Sequence, residues 1–381
     1  MPLRHPVPSL LVGLMLLTAW TLPLLSHAPN RLLSGSGIML ATLLYGPRLA
    51  LLLPALPLLA APWLPSRRGY SVLLATSVSL WLAALTGLAG AEAARLAGGG
   101  DSLARTSFGG GFWVLFILSG LLANDALRRL GGSGGRLALA QLAVYAPLLV
   151  LVLSGRLEAL SVLKEYANHR DSFDEALGRH LQLVGLTLLP TGVGGGVLGL
   201  WAFRQQRSQG ALFGVLNLIQ TIPSIALFGL LIAPLAALGR LLPGSGIAGI
   251  GLPPALLALT LYGLLPMARS TLAGLQQIPD GVREAARGMG LSAWQRWRRV
   301  ELPLALPVLI SGLRVTAIQA VGLAQLAALI GAGGFGSIMF QGLSGSALDL
   351  VLLGVIPVVV LAVVVDALFK LLLSLLQETP R

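Results

Sequence analysis

The residues able to do chemistry are few in this chain, and most of them gather in one place. Residues 269–303 read RSTLAGLQQIPDGVREAARGMGLSAWQRWRRVELP and hold six arginines: Arg269, Arg283, Arg287, Arg296, Arg298 and Arg299. Their chemistry is recognition, because no covalent machinery accompanies them. The chain has no cysteine, which excludes a disulfide, a Cys-ligated zinc site, an iron–sulfur cluster and a thiol nucleophile. Its four histidines are scattered and suggest no metal site. Gly244, Gly246, Gly249 and Gly331, Gly333, Gly336 each match Gly-x-Gly-x-x-Gly, but neither set follows a strand in a βαβ unit, as dinucleotide binding requires. Neither Lys164 nor Lys370 follows the glycines of a Walker A loop, so the chain is no ATPase by itself. Glu158, Glu165, Asp171, Asp174 and Glu175 read as a solvated amphipathic surface, suited to touching another protein, rather than as paired catalytic carboxylates. No Ser/His or Asp/Asp arrangement suggests an intramembrane hydrolase.

The elements that must position the arginine island are apolar. Hydrophobic residues make up 55% of 381, charged residues 10%, and the mean hydropathy is +0.85. A soluble domain carries about 25% charged residues, and repeated apolar runs of about 20 residues read as transmembrane helices. The runs do not alternate as barrel strands do. The expected fold is an all-α polytopic bundle of about ten spans, near 8–28, 38–62, 72–91, 108–127, 137–154, 181–203, 211–239, 247–268, 304–330 and 348–376. Ser26-His27-Ala28 resembles a signal-peptidase site, but Pro29 follows it, and an uncleaved first helix is the favoured reading. With the N-terminus and the island inside, sixteen basic residues fall on the inner side, including Arg4 and Arg381. Eight fall outside, including Arg31, and Arg48 and Arg314 lie within runs. That bias places both termini in the cytoplasm and accounts for the +12 net charge without nucleic acid. The expected domains are a five-helix membrane region at 1–154, a polar extracytoplasmic loop at 155–180, and a five-helix core at 181–381 containing the 269–303 loop.

Within the island, Asp280 suits the N-cap of a helix over 281–289. Gly290 suits a left-handed position just past its end. Ser292 and Gln295 have capping-box spacing and start a second helix, which Pro303 is expected to stop. Ala285 and Ala286 keep one side slim, Trp294 and Trp297 supply apolar surface, and arginines ring both. That combination suits a protein–protein contact. A DNA-binding helix-turn-helix is the competing reading, and confinement between two spans argues against it.

Glu284-Ala285-Ala286, three residues, Gly290, nine residues and Val300-Glu301-Leu302-Pro303 together resemble the EAA loop of ABC importer permeases, with Val300 where the pattern has Ile. The resemblance implies that Glu284, Ala285, Ala286, Gly290, Val300, Leu302 and Pro303 form a coupling element seated in a groove of a cytoplasmic ATPase subunit. Further segments are similar to osmoprotectant permeases, which carry glycine betaine, choline, carnitine or related quaternary amines. They are 217–224 (NLIQTIPS), 226–231 (ALFGLL), 261–266 (LYGLLP) and 328–336 (ALIGAGGFG). Lys164-Glu165-Tyr166-Ala167-Asn168 and the extra N-terminal helices resemble the long YehY-type members. The resemblance implies ATP and Mg²⁺ bound by the partner ATPase rather than by this chain. It also implies a separate extracytoplasmic binding protein, a second permease copy, and residence in the bacterial inner membrane. An ion-coupled secondary carrier for a small polar solute is the alternative. It would need paired intramembrane acids, and only Asp366 is available.

Four polar features in the spans carry two readings each. Asn217, Gln220, Thr221 and Ser224 surround Pro223 at helical spacing, as a translocation path or as interhelical hydrogen bonds. Arg314, about ten residues into a span, is a path or gate residue, or a packing arginine. Asp366 is a proton site or, more simply, a partner for Arg or Lys370. The Gly331–Gly336 segment is an outer gate or a close-packed turn.

Overall fold

Proline decides where the apolar runs stop being helices. A computed structural model of the chain describes residues 5–30, 33–63, 67–98, 103–131 and 134–378. Arg4, Arg31 and Arg381, which the charge bias above includes, lie outside the described residues. The chain divides into two units, Met1–Asn168 and His169–Arg381. Among the described residues eight helices are long and apolar enough to cross a membrane, where the sequence suggests ten spans. The two that differ are the first two runs.

In the first unit, α1 (Pro6–Thr21) ends at Leu22, whose backbone is extended because Pro23 follows it. The run expected over 8–28 is therefore a 16-residue helix followed by strand β1 (Leu25–Ala28). β1 sits between β2 (Ser36–Ile38) and β3 (Arg105–Phe108) in an antiparallel sheet. Ser26, His27 and Ala28 are thus paired sheet residues, and His27 Nδ1 lies 2.9 Å from Thr106 Oγ1. The run at 38–62 contains Pro47, Pro54 and Pro57. It is cut into α2 (Leu40–Leu43), a 3-10 turn over Gly46–Leu52, and α3 (Ala55–Ala60). It still follows the length of α4 (Arg68–Ala97). Arg48 Nη1 is 2.9 Å from Glu92 Oε2 towards one end, and the Tyr70 hydroxyl donates to Pro57 O at 2.9 Å towards the other. Glu92 also holds Arg95, so this buried acid is paired, as acids within spans generally are.

α5 (Gly110–Leu130) packs on α4 around Val78, Leu82, Leu85, Leu115 and Leu122, all fully buried. α6 (Gly134–Val144) and α7 (Ala146–Leu153) make one candidate span interrupted at Tyr145, two residues before Pro147. α8 (Ser161–Asn168) follows. Here the solvated-surface expectation fails for one residue: Glu165 is buried and lies 3.5 Å from Arg105. Lys164 donates to Ala104 O at 3.2 Å. Burial, and then the Arg105 charge, holds its ammonium below the ordinary lysine pKa. Glu158, Asp171, Asp174 and Glu175 are exposed as expected.

The second unit begins with α9 (Arg170–Arg204), so the end of the segment expected as a loop already belongs to a 35-residue helix. α10 (Gln206–Thr221) and α11 (Ser224–Leu241) are separate helices, because Pro223 interrupts the run expected over 211–239. α12 (Leu252–Gln276) packs chiefly on α9 and on α15 (Leu302–Leu323). Lipid tails are as apolar as leucine, so burying apolar surface does not drive helices together inside a bilayer; close packing does. Glycines permit it here. A Cβ on Gly195 would stand 2.5 Å from Met267 Cβ, and one on Gly199 would stand 2.5 Å from Ala268 O, both on α12. A Cβ on Gly263 of α12 would stand 2.5 Å from Thr191 Cγ2 of α9 and 2.8 Å from Thr316 Cγ2.

Candidate functional site

The island is built from the end of α12 outward. Residues 269–276 are still helical, so the first part of the island is the end of a span. Next come α13 (Asp280–Gly288) and α14 (Ala293–Arg296). A five-residue π turn over Trp297–Glu301 leads into α15 (Leu302–Leu323). Asp280 is not the N-cap: Pro279 occupies that position, and Asp280 lies in the first turn, accepting from Arg283 Nη1 at 3.1 Å. An acid there still suits the helix dipole.

Gly290 has φ +74°, the left-handed conformation expected of it. Gly290 N–H donates to Arg287 O at 2.9 Å and Leu291 N–H to Ala286 O at 3.2 Å, the two bonds of a Schellman motif. One residue later the capping box closes. Gln295 N–H donates to Ser292 Oγ at 3.3 Å, and Ser292 N–H donates to Gln295 Oε1 at 2.9 Å. The two short helices are therefore joined by a turn whose backbone groups are satisfied in both directions.

Pro303 does not stop the second helix, contrary to the sequence expectation. Ala293–Leu323 runs as one 31-residue span. A proline ring inside an α-helix clashes with the carbonyl four residues earlier, and the wider π turn just before Pro303 gives that carbonyl room. The same widening brings residues five apart over one another, and Arg296 Nε meets Glu301 Oε1 at 3.3 Å across the turn.

Arg283 pins the island to the span. Its guanidinium donates to the last-turn carbonyl of Leu275 and lies 4.8 Å from the Phe203 ring centroid. A cation there satisfies an orphan carbonyl and opposes the negative end of the α12 dipole. Beneath it Leu275, Ile278 and Ala305 form a buried cluster, flanked by Phe203, Trp297 and Leu309.

The expected docking face divides into two. Glu284 and Ala285 are exposed, while Ala286 is only 1% exposed and faces the protein's own interior. Trp294 is 67% exposed and Met289 71%, but Trp297 turns inward onto the cluster. Val300 and Leu302 are half-buried and Pro303 is exposed. The outward surface is thus Val282, Glu284, Ala285, Met289 and Trp294, with exposed Arg287, Arg298 and Arg299 around it.

The polar residues near Pro223 fall into two groups. Gln220, Thr221, Pro223 and Ser224 line one recess of about 260 Å³ together with Ile222, Tyr262, Gln319 and Leu323. Asn217 instead accepts from Arg269 Nη2 at 2.9 Å, within the preceding turn of α10. The recess has an origin in sequence. Pro266 lacks the N–H that would bond Tyr262 O four residues earlier. Gln220 Nε2 supplies the missing donor at 2.8 Å, and the Tyr262 hydroxyl in turn donates to Ile222 O. Pro266 in the sequence was the signal that could have marked Tyr262. Gln319 carried none, because only the packing of α15 brings it there.

Arg314 is an ion-pair residue. Its Nε lies 2.6 Å from Asp366 Oδ1, on α17 (Leu348–Glu378), and Lys370 Nζ lies 2.7 Å from Asp366 Oδ2. Asp366 therefore has the cationic partners of its simpler reading. The glycine segment is a close-packed turn ahead of α16 (Phe335–Ser344). Arg179 Nε donates to Ala332 O at 2.9 Å, and Phe335 is fully buried, 5.1 Å from the Phe173 ring and 5.5 Å from the His180 ring. A Cβ on Gly336 would stand 1.8 Å from Gln325 O.

Residues 4–163 match the N-terminal domain of the ABC transporter permease YehY. Residues 193–377 match the binding-protein-dependent transport system inner membrane component. The osmoprotectant import permease protein OsmW of Salmonella typhimurium is 40% identical over 49% of this chain and 84% of its own length. The glycine betaine/carnitine/choline permease OpuCB of Bacillus subtilis is 34% identical over 44% of this chain and 72% of its own length. An inward-facing MetNI methionine ABC transporter structure matches 54% of this chain and 95% of its own, at 23% identity and a TM-score of 0.46. The chain belongs to the inner-membrane permease family of binding-protein-dependent ABC importers and carries a YehY-type N-terminal domain.

Proposed function

We propose that this permease imports glycine betaine or a related quaternary-amine osmoprotectant, driven by a partner ATPase that binds ATP and Mg²⁺. The substrate class is supported by the named substrates of its relatives. The coupling role rests on the island. In an otherwise apolar chain, two short helices locked by a glycine turn present an apolar patch ringed by arginines. Glu284, Ala285 and Gly290, with the Val300–Pro303 stretch behind them, seat this patch on the ATPase. The positive bias places the patch and both termini in the cytoplasm. Two copies pair, one coupling element per ATPase subunit, and a separate binding protein delivers substrate on the other side. The exposed stripe Leu189, Val193 and Val197 of α9 meets lipid.

The stroke travels along one helix. From Ala293 to Gln319 is 27 residues of continuous helix, the π turn included, about 40 Å at 1.5 Å per residue. Motion of the island therefore reaches Gln319 and Leu323 at the recess beside Pro223. Substrate passes along Gln220, Thr221, Pro223 and Ser224, with Asn217 on the same helix. Arg314 holds α15 to α17 through Asp366. The same pairing leaves Asp366 committed to two cations, and Glu92 of α4 and Asp125 of α5 are likewise paired with arginines, which argues against a proton-coupled carrier.

Reconstitution with the ATPase and binding protein tests this reading. Uptake of labelled glycine betaine requires ATP and the binding protein. Glu284→Lys and Gly290→Pro abolish uptake but leave membrane insertion intact. Full uptake in both variants sinks the docking assignment, and uptake that follows a proton gradient without the ATPase sinks the ATP-driven one.

A further inference from the structure

We infer that the recess beside Pro223 is a selectivity site for the carboxylate end of a zwitterionic substrate, with Gln319 and Ser224 as its specificity-determining residues. The inference rests on the quaternary-amine reading above and goes further, separating betaines that carry a carboxylate from choline, which does not.

The argument is an inventory of what the lining can still bond. Of its polar side chains, three already donate inside the protein, Gln220 with one of its two N–H groups. Gln220 Nε2 donates to Tyr262 O, Thr221 Oγ1 to Leu218 O, and the Tyr262 hydroxyl to Ile222 O. Gln319 and Ser224 line the same recess with no hydrogen bond to another described residue. A primary amide brings two N–H donors and a hydroxyl brings one. The donors left in the recess therefore suit an acceptor-rich group, and a carboxylate accepts several hydrogen bonds at once.

Charge points the same way. No acidic or basic side chain lines the recess, and the nearest cation along α15, Arg314, is paired with Asp366. A net cation finds no counter-charge here, and a net anion finds none either. A solute that carries both charges compensates itself and needs only donors at its anionic end. Size agrees, since 260 Å³ falls just below the roughly 300–1,000 Å³ of sites for drug-sized ligands. Gln319 sits on the helix that begins at the capping box, so the residue that reads the substrate moves with the coupling stroke.

The test uses the full transporter, this chain with its ATPase and binding protein in proteoliposomes, and compares ATP-driven uptake of labelled glycine betaine and choline. Gln319→Leu keeps the side chain's bulk and removes its donors. It lowers glycine betaine uptake about tenfold or more, the size of a lost hydrogen bond to a charged group, and changes choline uptake less than twofold. Ser224→Ala lowers the betaine-to-choline ratio several-fold. Gln319→Glu places an anion in the recess and shifts the ratio further towards choline. An unchanged ratio in Gln319→Leu and Gln319→Glu overturns the inference, including the case in which both uptakes fall in parallel, which marks a merely structural residue. A preference for choline in the unsubstituted transporter also overturns it. If the unsubstituted transporter takes up neither amine, the quaternary-amine reading itself fails. The two failures are thus distinguished by one control.

Discussion

Gly290 is where the coupling island is most exposed to a single substitution. Its φ is +74° and a Cβ there would meet nothing within 4 Å. A side chain therefore brings no clash, and the whole cost is conformational. An L-residue in the left-handed region costs about 1–2 kcal/mol, with asparagine at the low end. Leaving that region would break two hydrogen bonds, from Gly290 to Arg287 and from Leu291 to Ala286, each contributing about 1 kcal/mol. Gly290→Ala thus keeps the turn at a cost of about 1 kcal/mol, and Gly290→Asn keeps it at less. Gly290→Val is worse because branching at Cβ stiffens the residue. Gly290→Pro cannot reach positive φ and loses the donor to Arg287, so the turn is lost outright. The expected order of ATP-dependent uptake in proteoliposomes is Gly, Asn, Ala, Val, Pro. Thermal unfolding of the purified chain falls in the same order, by about 2–4 °C per kcal/mol for a unit of this size. Gly281→Ala is the control, since Gly281 lies inside α13 with open space around it. Alanine there stabilises the helix by about 0.5–1 kcal/mol. If Gly290→Pro transports as well as Gly290→Ala, or Gly281→Ala harms uptake as much as either, the turn is not what positions the island.

Other perturbations address the spans. Asp366→Asn leaves two cations facing a neutral amide. It destabilises more than Arg314→Gln or Lys370→Gln, by about 1–2 kcal/mol given side chains that are one-quarter to one-third exposed. Equal losses for the three variants in detergent unfolding would contradict a shared carboxylate. Gln220→Leu strands the carbonyl that Pro266 frees and costs about 1–2 kcal/mol. Combining it with Pro266→Ala, which restores the helix's own donor, recovers most of that loss, and strict additivity in the double-mutant cycle would refute the link. Ser292→Ala removes the capping box and costs about 1 kcal/mol, read as a lower unfolding midpoint. Gly336→Ala drives a methyl into Gln325 O, and yields of folded protein on size-exclusion chromatography drop; normal yield and stability would show that the turn can relax.

The sequence by itself determined the class of molecule and the layout of the island. Length and hydropathy of the runs are local properties, and a bilayer makes them decisive because the backbone must satisfy itself inside the hydrocarbon. Glycine at 290 and Ser-x-x-Gln at 292–295 are legible for a similar reason, since capping is a bargain struck within a few residues of chain. Where one local rule misled, a competing local feature had overridden it. Asp280 lost the cap to Pro279 and bonds Arg283, Pro303 is accommodated by a π turn, and Pro47, Pro54 and Pro57 cut a run that hydropathy averages over. Tertiary structure alone decided which polar residues meet. Arg314 and Asp366 are 52 residues apart in sequence and 2.6 Å apart in space. Gln319 reaches the recess of Gln220 and Ser224 only because α15 packs against α12. Trp297 faces inward because the cluster of Leu275, Ile278 and Ala305 lies beneath it. Residue type says that a side chain can dock or bond, but its direction depends on neighbours supplied by other helices.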